Sequence, residues 1–142
     1  SFIFAPNKNL LWHSFKGKGV FLNGKKIKRI KNFYDILVDN YPTPRGIAKK
    51  IFDKLSMQNY IECGSLGLKS VLIVNNDANL FVKDIKFYDW DIMPVLLMIR
   101  EQRYFIRDLK GNMIKLSDDL KKNNGLIVTN NKKYLKGVLK SI

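Results

Sequence analysis

A short amphipathic helix between residues 44 and 55 constrains the fold more than any other segment of this sequence. Its apolar residues recur at helical spacing, at Ile47, Ala48, Ile51, Phe52 and Leu55. Its opposite face is charged, with Lys49, Lys50, Asp53 and Lys54. Thr43-Pro44 is a suitable opening, with Thr as N-cap and Pro at the first helical position. Such a stripe has to pack against another element, so the sequence predicts a helix on a mixed scaffold.

Short β-rich runs surround this helix. Asn23-Gly24 lies between two short apolar runs, which is a strong local signal for a hairpin. The runs 68–74 and 80–88, separated by a polar turn, predict a second hairpin. Residues 126–129 predict a buried strand, and residues 134–142 a closing strand. Residues 32–39 predict a short helical stretch, and a further short helix is expected after Ser117 as its N-cap.

These elements predict an α/β (α+β) fold. Residues 1–31 form a basic N-terminal extension in this division. Residues 32–90 form an αβ half with the amphipathic helix and a β-hairpin. Residues 91–142 form a mainly β half with one short helix.

The charge of the chain points to a polyanionic partner. It has 26 Lys and Arg against 12 Asp and Glu, a formal net charge of +14 and a sequence pI of about 9.9. Such an excess is self-repulsive unless an anion neutralises it, and nucleic acid is the usual one. Lys25 and Lys26 crowd the exit of the first hairpin, where phosphate contact is at least as favoured as a solvated arm.

Several classes of site and location are disfavoured. Cys63 and His13 are the only residues of their types, so an internal disulfide or a closed zinc site is not expected. Cys63 is interpreted as a small core residue. The longest apolar run, residues 93–99, is shorter than the ~20 residues of a spanning helix, and no secretory signal is recognised. We therefore expect no metal, cofactor or membrane partner.

Three segments resemble the small-subunit ribosomal protein S-eight family. Pro42-Thr43-Pro44-Arg45, the helix and residues 59–62 are similar to that family's Pro-x-Ser-Lys, amphipathic helix and Gly-Tyr/Phe-Ile ending. Residues 100–106 resemble its basic Arg-x-Tyr stretch. Residues 117–132 resemble its Asp-Glu helix, Gly-led strand and Ser-Thr-Ser-Lys-Gly loop, although Val128-Thr129-Asn130-Asn131-Lys132 stands in place of that loop. Residues 1–31 have no counterpart.

The resemblance implies a non-catalytic structural protein that binds small-subunit rRNA and neighbouring ribosomal proteins, with no small-molecule substrate. Hydroxyl, amide and basic side chains contact phosphates, 2′-hydroxyls and splayed bases in such proteins. The expected RNA-binding residues are Thr129, Asn130, Asn131, Lys132, Lys133, Thr43, Arg45, Lys49, Arg100, Arg103, Lys25 and Lys26. The abundance of Lys, Asn, Ile, Phe and Tyr suggests an AT-rich genome, so a mitochondrial matrix location is expected.

Three alternatives remain open. A winged-helix DNA-binding protein would use the amphipathic helix for recognition, but its exposed face suits phosphates better than bases. A nuclease would use Asp77 with Asp84-Ile85-Lys86 around magnesium, although such triplets are frequent by chance in a Lys-rich chain. A structural subunit of another organellar assembly that touches lipid would need an apolar helix face that the core does not use.

Overall fold

The computed structural model describes residues 1–30, 34–116 and 120–142. Its strands are β1 (Phe2–Ala5), β2 (Leu10–Phe15), β3 (Gly19–Leu22), β4 (Lys25–Lys26), β5 (Ile36–Asp39), β6 (Asn59–Glu62), β7 (Leu80–Lys83), β8 (Phe87–Tyr88), β9 (Phe105–Arg107), β10 (Lys121–Lys122) and β11 (Leu126–Thr129). Its α-helices are α1 (Gly46–Lys54), α2 (Leu66–Val74), α3 (Asp89–Glu101) and α4 (Lys132–Ser141). The α/β fold class is confirmed.

The strands form a meander and a mixed sheet, with a small β10–β8 pair beside them. The meander is antiparallel in the order β1-β2-β3-β4. The mixed sheet has the order β6-β5-β7-β11-β9. Strand β5 runs parallel to β6 and β7, whereas β11 runs antiparallel to β7 and β9. The carboxyl ends of β5, β6 and β7 therefore meet at one edge of the sheet.

The core is built in layers. Helices α2 and α3 lie between the two sheets, where residues such as Val71, Ile99 and Phe81 are completely buried in one hydrophobic cluster. Helices α1 and α4 cover the other face of the mixed sheet, with Ile51 and Val138 in a second cluster. The first cluster contains residues from all three predicted sequence ranges, and the boundaries at 31 and 90 stay a prediction.

Several predicted elements are confirmed. Asn23 and Gly24 both have positive φ, +46° and +78°, and join β3 to β4 in the expected tight hairpin. The amphipathic helix and the buried strand β11 are also present. Helix α1 begins at Gly46, however, with Arg45 rather than Thr43 at the N-cap position. Cys63 is partly buried against the first cluster.

Other predicted elements are wrong. Residues 68–74 belong to α2, so the predicted hairpin with 80–88 does not form; β7 pairs with β5 and β11 instead. A helix buried between two sheets is apolar on most sides and lacks the amphipathic signature. Residues 134–141 lie in α4 rather than in a closing strand. Most of α3 also falls in the range 91–142, so the described residues of that range are mainly helical beside three short strands, and the expected mainly β half is wrong.

Two further predictions fall partly on residues that are not described. Residues 36–39 form a strand rather than the predicted helix, while residues 32 and 33 of that stretch lie outside the described residues. Ser117, the expected N-cap of a short helix, also lies outside them. Among the described residues, no helix has both the length and the apolar character needed to cross a bilayer.

Candidate functional site at the carboxyl edge of the mixed sheet

An ion pair joins two neighbouring strand ends at the carboxyl edge of the mixed sheet. Asp39, the last residue of β5, is completely buried. Lys83, the last residue of β7, donates to both of its carboxylate oxygens, at 2.8 and 3.0 Å. The pair fixes the two strand ends against each other. In open α/β sheets, ligands bind outside the carboxyl ends of the strands, so this edge is where a site is expected.

A small pocket opens beside this ion pair. Its volume is about 300 Å³, and it is lined by Tyr41, Arg45, Gly46, Ile47, Lys83, Asp84 and Ile85. The guanidinium carbon of Arg45 lies 4.9 Å from the centre of the Tyr41 ring, and Lys83 Nζ lies 5.0 Å from the same centre. These cation–π contacts hold two positive charges on one aromatic ring at the pocket wall. We call this pocket the edge pocket.

The charged side chains of the edge pocket differ in whether they already form an ion pair. Lys83 is neutralised by Asp39 and is mostly buried. Arg45 and Asp84 are exposed, and neither forms an ion pair with another described residue. The edge pocket therefore offers one guanidinium for an anion and one carboxylate for hydroxyl groups, in a lining that also includes the apolar side chains of Ile47 and Ile85.

A buried lysine fastens the next part of the same edge. Lys69 on α2 is 3% exposed. Its ammonium group donates to the side-chain oxygen of Asn40 and to the carbonyl oxygens of Cys63, at 3.3 Å, and Gly64, at 3.4 Å. These bonds join the chain after β5 to the chain after β6. Burial lowers the pKa of Lys69, which the nearby Asp39 carboxylate partly offsets.

Tyr60 supports the pocket from β6. Its hydroxyl donates to the carbonyl oxygen of Tyr41 at 2.6 Å, which fixes the backbone that carries the Tyr41 ring. Burial, followed by the nearby Asp39 charge, raises the pKa of Tyr60. The hydroxyl therefore remains a donor across the physiological pH range.

Two further acidic residues, Asp89 and Asp91, lie in the first turn of α3. One carboxylate oxygen of Asp91 accepts a hydrogen bond from the backbone N–H of Tyr88 at 2.8 Å and closes a capping box. Asp89 is buried and forms an ion pair with Lys122 at 2.8 Å, which joins α3 to β10. Within the described residues, no group of three or more His, Cys, Asp and Glu side chains could hold a metal ion.

The predicted RNA-binding residues do not form one surface. Thr129 is completely buried and donates to the carbonyl oxygen of Asn79 at 2.7 Å. Asn130 is 7% exposed and donates to the carbonyl oxygen of Ala78, while Asn131 is the N-cap of α4 and accepts from Lys133. Lys132 and Lys133 are exposed at the start of α4. Because β11 is antiparallel to β7, this group lies at the opposite edge of the mixed sheet from the edge pocket.

The other predicted contacts are also separate. Lys25 and Lys26 lie on β4 of the meander, and Lys49 forms an exposed ion pair with Asp53 on α1. Arg100 and Arg103 line a different pocket after α3. Thr43 is exposed in the segment before α1, and only Arg45 among the predicted residues lines the edge pocket. An RNA-binding role for any of these residues stays a prediction.

Sequence reasoning missed most of the edge pocket. Asp84 was noticed only as part of an Asp-x-Lys triplet, and Tyr41 and Lys83 were not singled out. The available signal was positional, because Asp39, Lys83 and Asp84 each stand at the polar end of an apolar strand. Asp39 and Lys83 are 44 residues apart, so only the sheet order brings them together.

The fold of this chain matches those of solved structures that are described as inositol monophosphatases or as similar to them. One of them is a hypothetical Pyrococcus horikoshii protein with similarities for inositol-1 monophosphatase. The match covers 99% of this chain and 56% of that protein, at 23% identity and a TM-score of 0.81. Inositol monophosphatase II from Staphylococcus aureus matches at 18% identity and a TM-score of 0.79, over 99% of this chain and 54% of that one. These likenesses establish the fold.

The sequence comparisons concern the same family. A fructose-1,6-bisphosphatase/inositol-1-monophosphatase of Methanocaldococcus jannaschii is 28% identical over 132 residues, which cover 90% of this chain and 51% of that protein. This chain thus spans about half the length of the relatives it matches.

The family model for the inositol monophosphatase family matches residues 1–142. A match over the whole chain overturns the resemblance to ribosomal protein S-eight, which rested on short separate segments. Three expectations rested on that resemblance and are also wrong. They are a non-catalytic ribosomal role, rRNA and ribosomal proteins as partners, and the absence of a small-molecule substrate. The winged-helix and assembly-subunit alternatives are wrong too, because the related proteins are phosphatases. The chain belongs to the inositol monophosphatase family.

Proposed function

We propose that this chain binds the phosphate monoester of a small polyol in the edge pocket and forms the substrate-binding part of a phosphatase. The observation that carries the proposal is that an exposed guanidinium, Arg45, and an exposed carboxylate, Asp84, both line that pocket. A guanidinium matches the geometry of a phosphate group bidentately, and a carboxylate accepts hydrogen bonds from hydroxyl groups. A phosphorylated polyol carries both kinds of group.

The relatives' names agree with this substrate class. The Methanocaldococcus jannaschii relative is described as acting on fructose 1,6-bisphosphate and inositol 1-monophosphate, both of which are phosphorylated polyols. A related solved structure, SaIMPase-II, contains inositol monophosphate. The volume of about 300 Å³ is at the small end of the range for ligand pockets, about 300–1,000 Å³, and suits a single ring with one phosphate.

The reaction would be hydrolysis of the ester by water to give the alcohol and inorganic phosphate. In this chain, Arg45 would hold the phosphate and Asp84 would orient the ring through its hydroxyl groups. Lys83 would remain paired with Asp39 and form part of the pocket wall. Divalent cations commonly assist phosphate-ester hydrolysis, but the described residues include no group of three or more His, Cys, Asp and Glu side chains that could hold one.

Chemical-shift mapping tests this proposal. D-inositol 1-phosphate is titrated into the ¹⁵N-labelled chain, with inositol and inorganic phosphate titrated separately. We expect shifts at Tyr41, Gly46, Ile47 and Asp84, saturation at lower concentration for the phosphorylated polyol than for inositol, and competition by inorganic phosphate. Shifts confined to other surfaces, or equal affinity for inositol with and without its phosphate, would contradict the proposal.

The mitochondrial location predicted from composition stays a prediction. Organelle fractionation with an antibody to this chain would test it. Enrichment with matrix markers is expected from the composition, and enrichment with another compartment would refute it.

A further inference from the structure

A pocket lined by three arginines lies where α3 ends and β9 begins. Arg100 is in the last turn of α3, Arg103 follows the helix, and Arg107 is the last residue of β9. The volume is about 250 Å³, and the lining also includes Tyr104, Phe105 and Met113. We call this pocket the arginine pocket. It shares no lining residue with the edge pocket, and β9 is two strands away from β7 in the mixed sheet.

The positive charges of these arginines are not neutralised by the acidic side chains next to them. The carboxylate of Glu101, which follows Arg100, accepts hydrogen bonds from two glycine N–H groups of the meander. The carboxylate of Asp108, which follows Arg107, accepts from backbone N–H groups in the turn 110–112, at 3.0 and 2.7 Å. Among the described residues, none of the three arginines forms an ion pair. The arginine pocket therefore carries an excess of positive charge.

Arg103 has a backbone conformation that glycine normally occupies. Its φ is +55°. Its N–H donates to the carbonyl oxygen of Arg100, and the N–H of Tyr104 donates to the carbonyl oxygen of Ile99, both at 2.9 Å. These two bonds form a Schellman motif, in which the residue at the position of Arg103 is usually glycine. Glycine would end α3 without strain, and strained residues of this kind cluster at ligand sites.

The negative end of the α3 dipole accounts for only part of the cluster. Carbonyl groups at the C-terminus of a helix favour cations, and Arg100 and Arg103 both lie there. Arg107 comes instead from β9, and its Nη1 donates to the carbonyl oxygen of Ile106 at 2.7 Å. A third guanidinium is thus held at the pocket by a strand, where no helix dipole attracts it.

Tyr104 gives the arginine pocket a fixed wall. The residue is buried, and its hydroxyl donates to the side-chain oxygen of Asn76 at 2.5 Å. The guanidinium carbon of Arg29 lies 5.6 Å from the centre of its ring. A wall that is already ordered lowers the entropic cost of binding a ligand against it.

We propose that the arginine pocket binds a phosphoryl anion, either free phosphate or pyrophosphate or the same group on a small metabolite. A phosphoryl group presents three acceptor oxygens and a charge of about −1.5 to −2, whereas a carboxylate presents two oxygens and a single charge. Three guanidinium groups match the phosphoryl group better, and their three charges favour a diphosphate. The volume is below the range of about 300–1,000 Å³ for whole-ligand pockets, which suits a small anion. This inference does not rest on the function proposed for the edge pocket.

Nuclear magnetic resonance of the arginine side chains tests this inference. Pyrophosphate, inorganic phosphate and succinate are titrated separately into the ¹⁵N-labelled chain at one ionic strength. We expect saturable shifts of the Nε–H signals of Arg100, Arg103 and Arg107, with succinate binding at least tenfold more weakly than pyrophosphate. Tighter binding of pyrophosphate than of phosphate would support a diphosphate ligand, and the reverse a single phosphoryl group. The amides of Tyr41 and Gly46 report binding to the edge pocket in the same titration, so the two sites are scored separately.

Matched variants separate a binding role from a structural one. Arg103→Gly removes a guanidinium and relieves the left-handed backbone strain, so it should weaken pyrophosphate binding at least tenfold while raising the midpoint of thermal unfolding. Arg107→Gln should weaken binding by a similar factor. Lys110→Gln removes an exposed positive charge that does not line the arginine pocket, and it should change the affinity less than twofold.

Four results would overturn the inference. One is the absence of saturable shifts at the three arginines with either phosphoryl anion. Another is unchanged affinity in Arg103→Gly, or equal weakening by Arg103→Gly and Lys110→Gln, which would leave only general charge attraction. A third is tighter binding of succinate than of pyrophosphate, which would assign the pocket to carboxylates. The fourth is tighter binding of polyuridylate than of pyrophosphate, abolished in Arg103→Gly, which would assign it to a polymer.

Discussion

Lys83 and Asp39 form a bidentate ion pair, 2.8 and 3.0 Å long, between the ends of two parallel strands. Asp39 has no exposure to solvent, so the lysine is what makes its charge tolerable in the interior. The same lysine contributes to the wall of the edge pocket. The stability of the folded protein and the shape of the edge pocket therefore both depend on the ion pair between Lys83 and Asp39.

Replacing Lys83 should destabilise the protein strongly. Lys83→Met leaves a buried carboxylate without its ion-pair partner, which costs about 3–5 kcal/mol in comparable cases. Urea denaturation measures the change in the free energy of unfolding. Lys49→Met is the matched control because Lys49 pairs with Asp53 on the surface, where such a pair contributes less than about 1 kcal/mol. Similar losses in the free energy of unfolding for both variants would show that the buried Lys83–Asp39 pair stabilises the protein no more than the exposed Lys49–Asp53 pair.

The hydrogen bonds between Glu101 of α3 and the meander should make the free energy of unfolding depend on pH. Its carboxylate accepts hydrogen bonds from the backbone N–H groups of Gly17 and Gly19, at 2.8 and 2.9 Å, and these bonds lower its pKa. The stabilisation is complete above the ordinary pKa of glutamate and disappears as the pH falls through the lowered value. Glu101→Gln should therefore differ from the wild type in unfolding free energy at pH 7 and converge with it in acid.

The control for that series is Glu62→Gln, at an exposed glutamate in β6. It is expected to leave the pH dependence in acid unchanged. A difference between wild type and Glu101→Gln that stays constant down to pH 3 would contradict the assigned hydrogen bonds.

Lys69 should make the protein more stable as the pH rises from its lowered pKa towards the ordinary pKa of lysine. Burial lowers the pKa of Lys69 in the folded state below the ordinary lysine value of 10.5, so between the two values the unfolded chain binds more protons. The free energy of unfolding therefore increases with pH across that interval. Lys69→Met should remove this increase, whereas Lys50→Met, at an exposed lysine, should retain it. An unchanged pH profile in Lys69→Met would refute the assignment.

Gly125 should be intolerant of a side chain. Its φ is +65°, and an added Cβ would lie 2.6 Å from the carbonyl oxygen of Lys83. A left-handed conformation alone costs about 1–3 kcal/mol for other residues, and the backbone contact adds to it. Gly125→Ala should lower the midpoint of thermal unfolding, while Gly64→Ala, which meets nothing within 4 Å, should not. Equal midpoints for the two variants would contradict this geometry.

The fold class followed from the sequence because its signals are local. The Asn23-Gly24 turn and the apolar stripe of α1 depend on residues within one element. Helix α4 was missed although Tyr134 and Val138, both buried, are four residues apart, which is helical spacing. Helix α2 was missed for a deeper reason, since a segment buried between two sheets carries no polar face.

The candidate site and the family were not predictable in the same way. Asp39 and Lys83 acquire their relationship only through the sheet order, which no periodicity encodes. The ribosomal resemblance used short stretches such as 42–45 and 125–132, whose prolines, glycine and β-branched residues serve turns and buried strands in many α/β proteins. Net charge pointed to an anionic partner, but charge does not distinguish a polymer from a small phosphate ester.

Isothermal titration of D-inositol 1-phosphate tests the central claim most directly, with wild type, Arg45→Gln and Arg29→Gln compared at one ionic strength. Arg29 is the matched control because its guanidinium also lies over an aromatic ring, 5.6 Å from the centre of Tyr104. Loss of a charged hydrogen bond of about 1.5–3 kcal/mol predicts that Arg45→Gln weakens binding by roughly tenfold to a hundredfold. Arg29→Gln should leave the affinity within about twofold, because Arg29 is an exposed residue that does not line the edge pocket. Equal affinities for all three proteins, or equal losses in both variants, would contradict the assignment of substrate binding to the edge pocket.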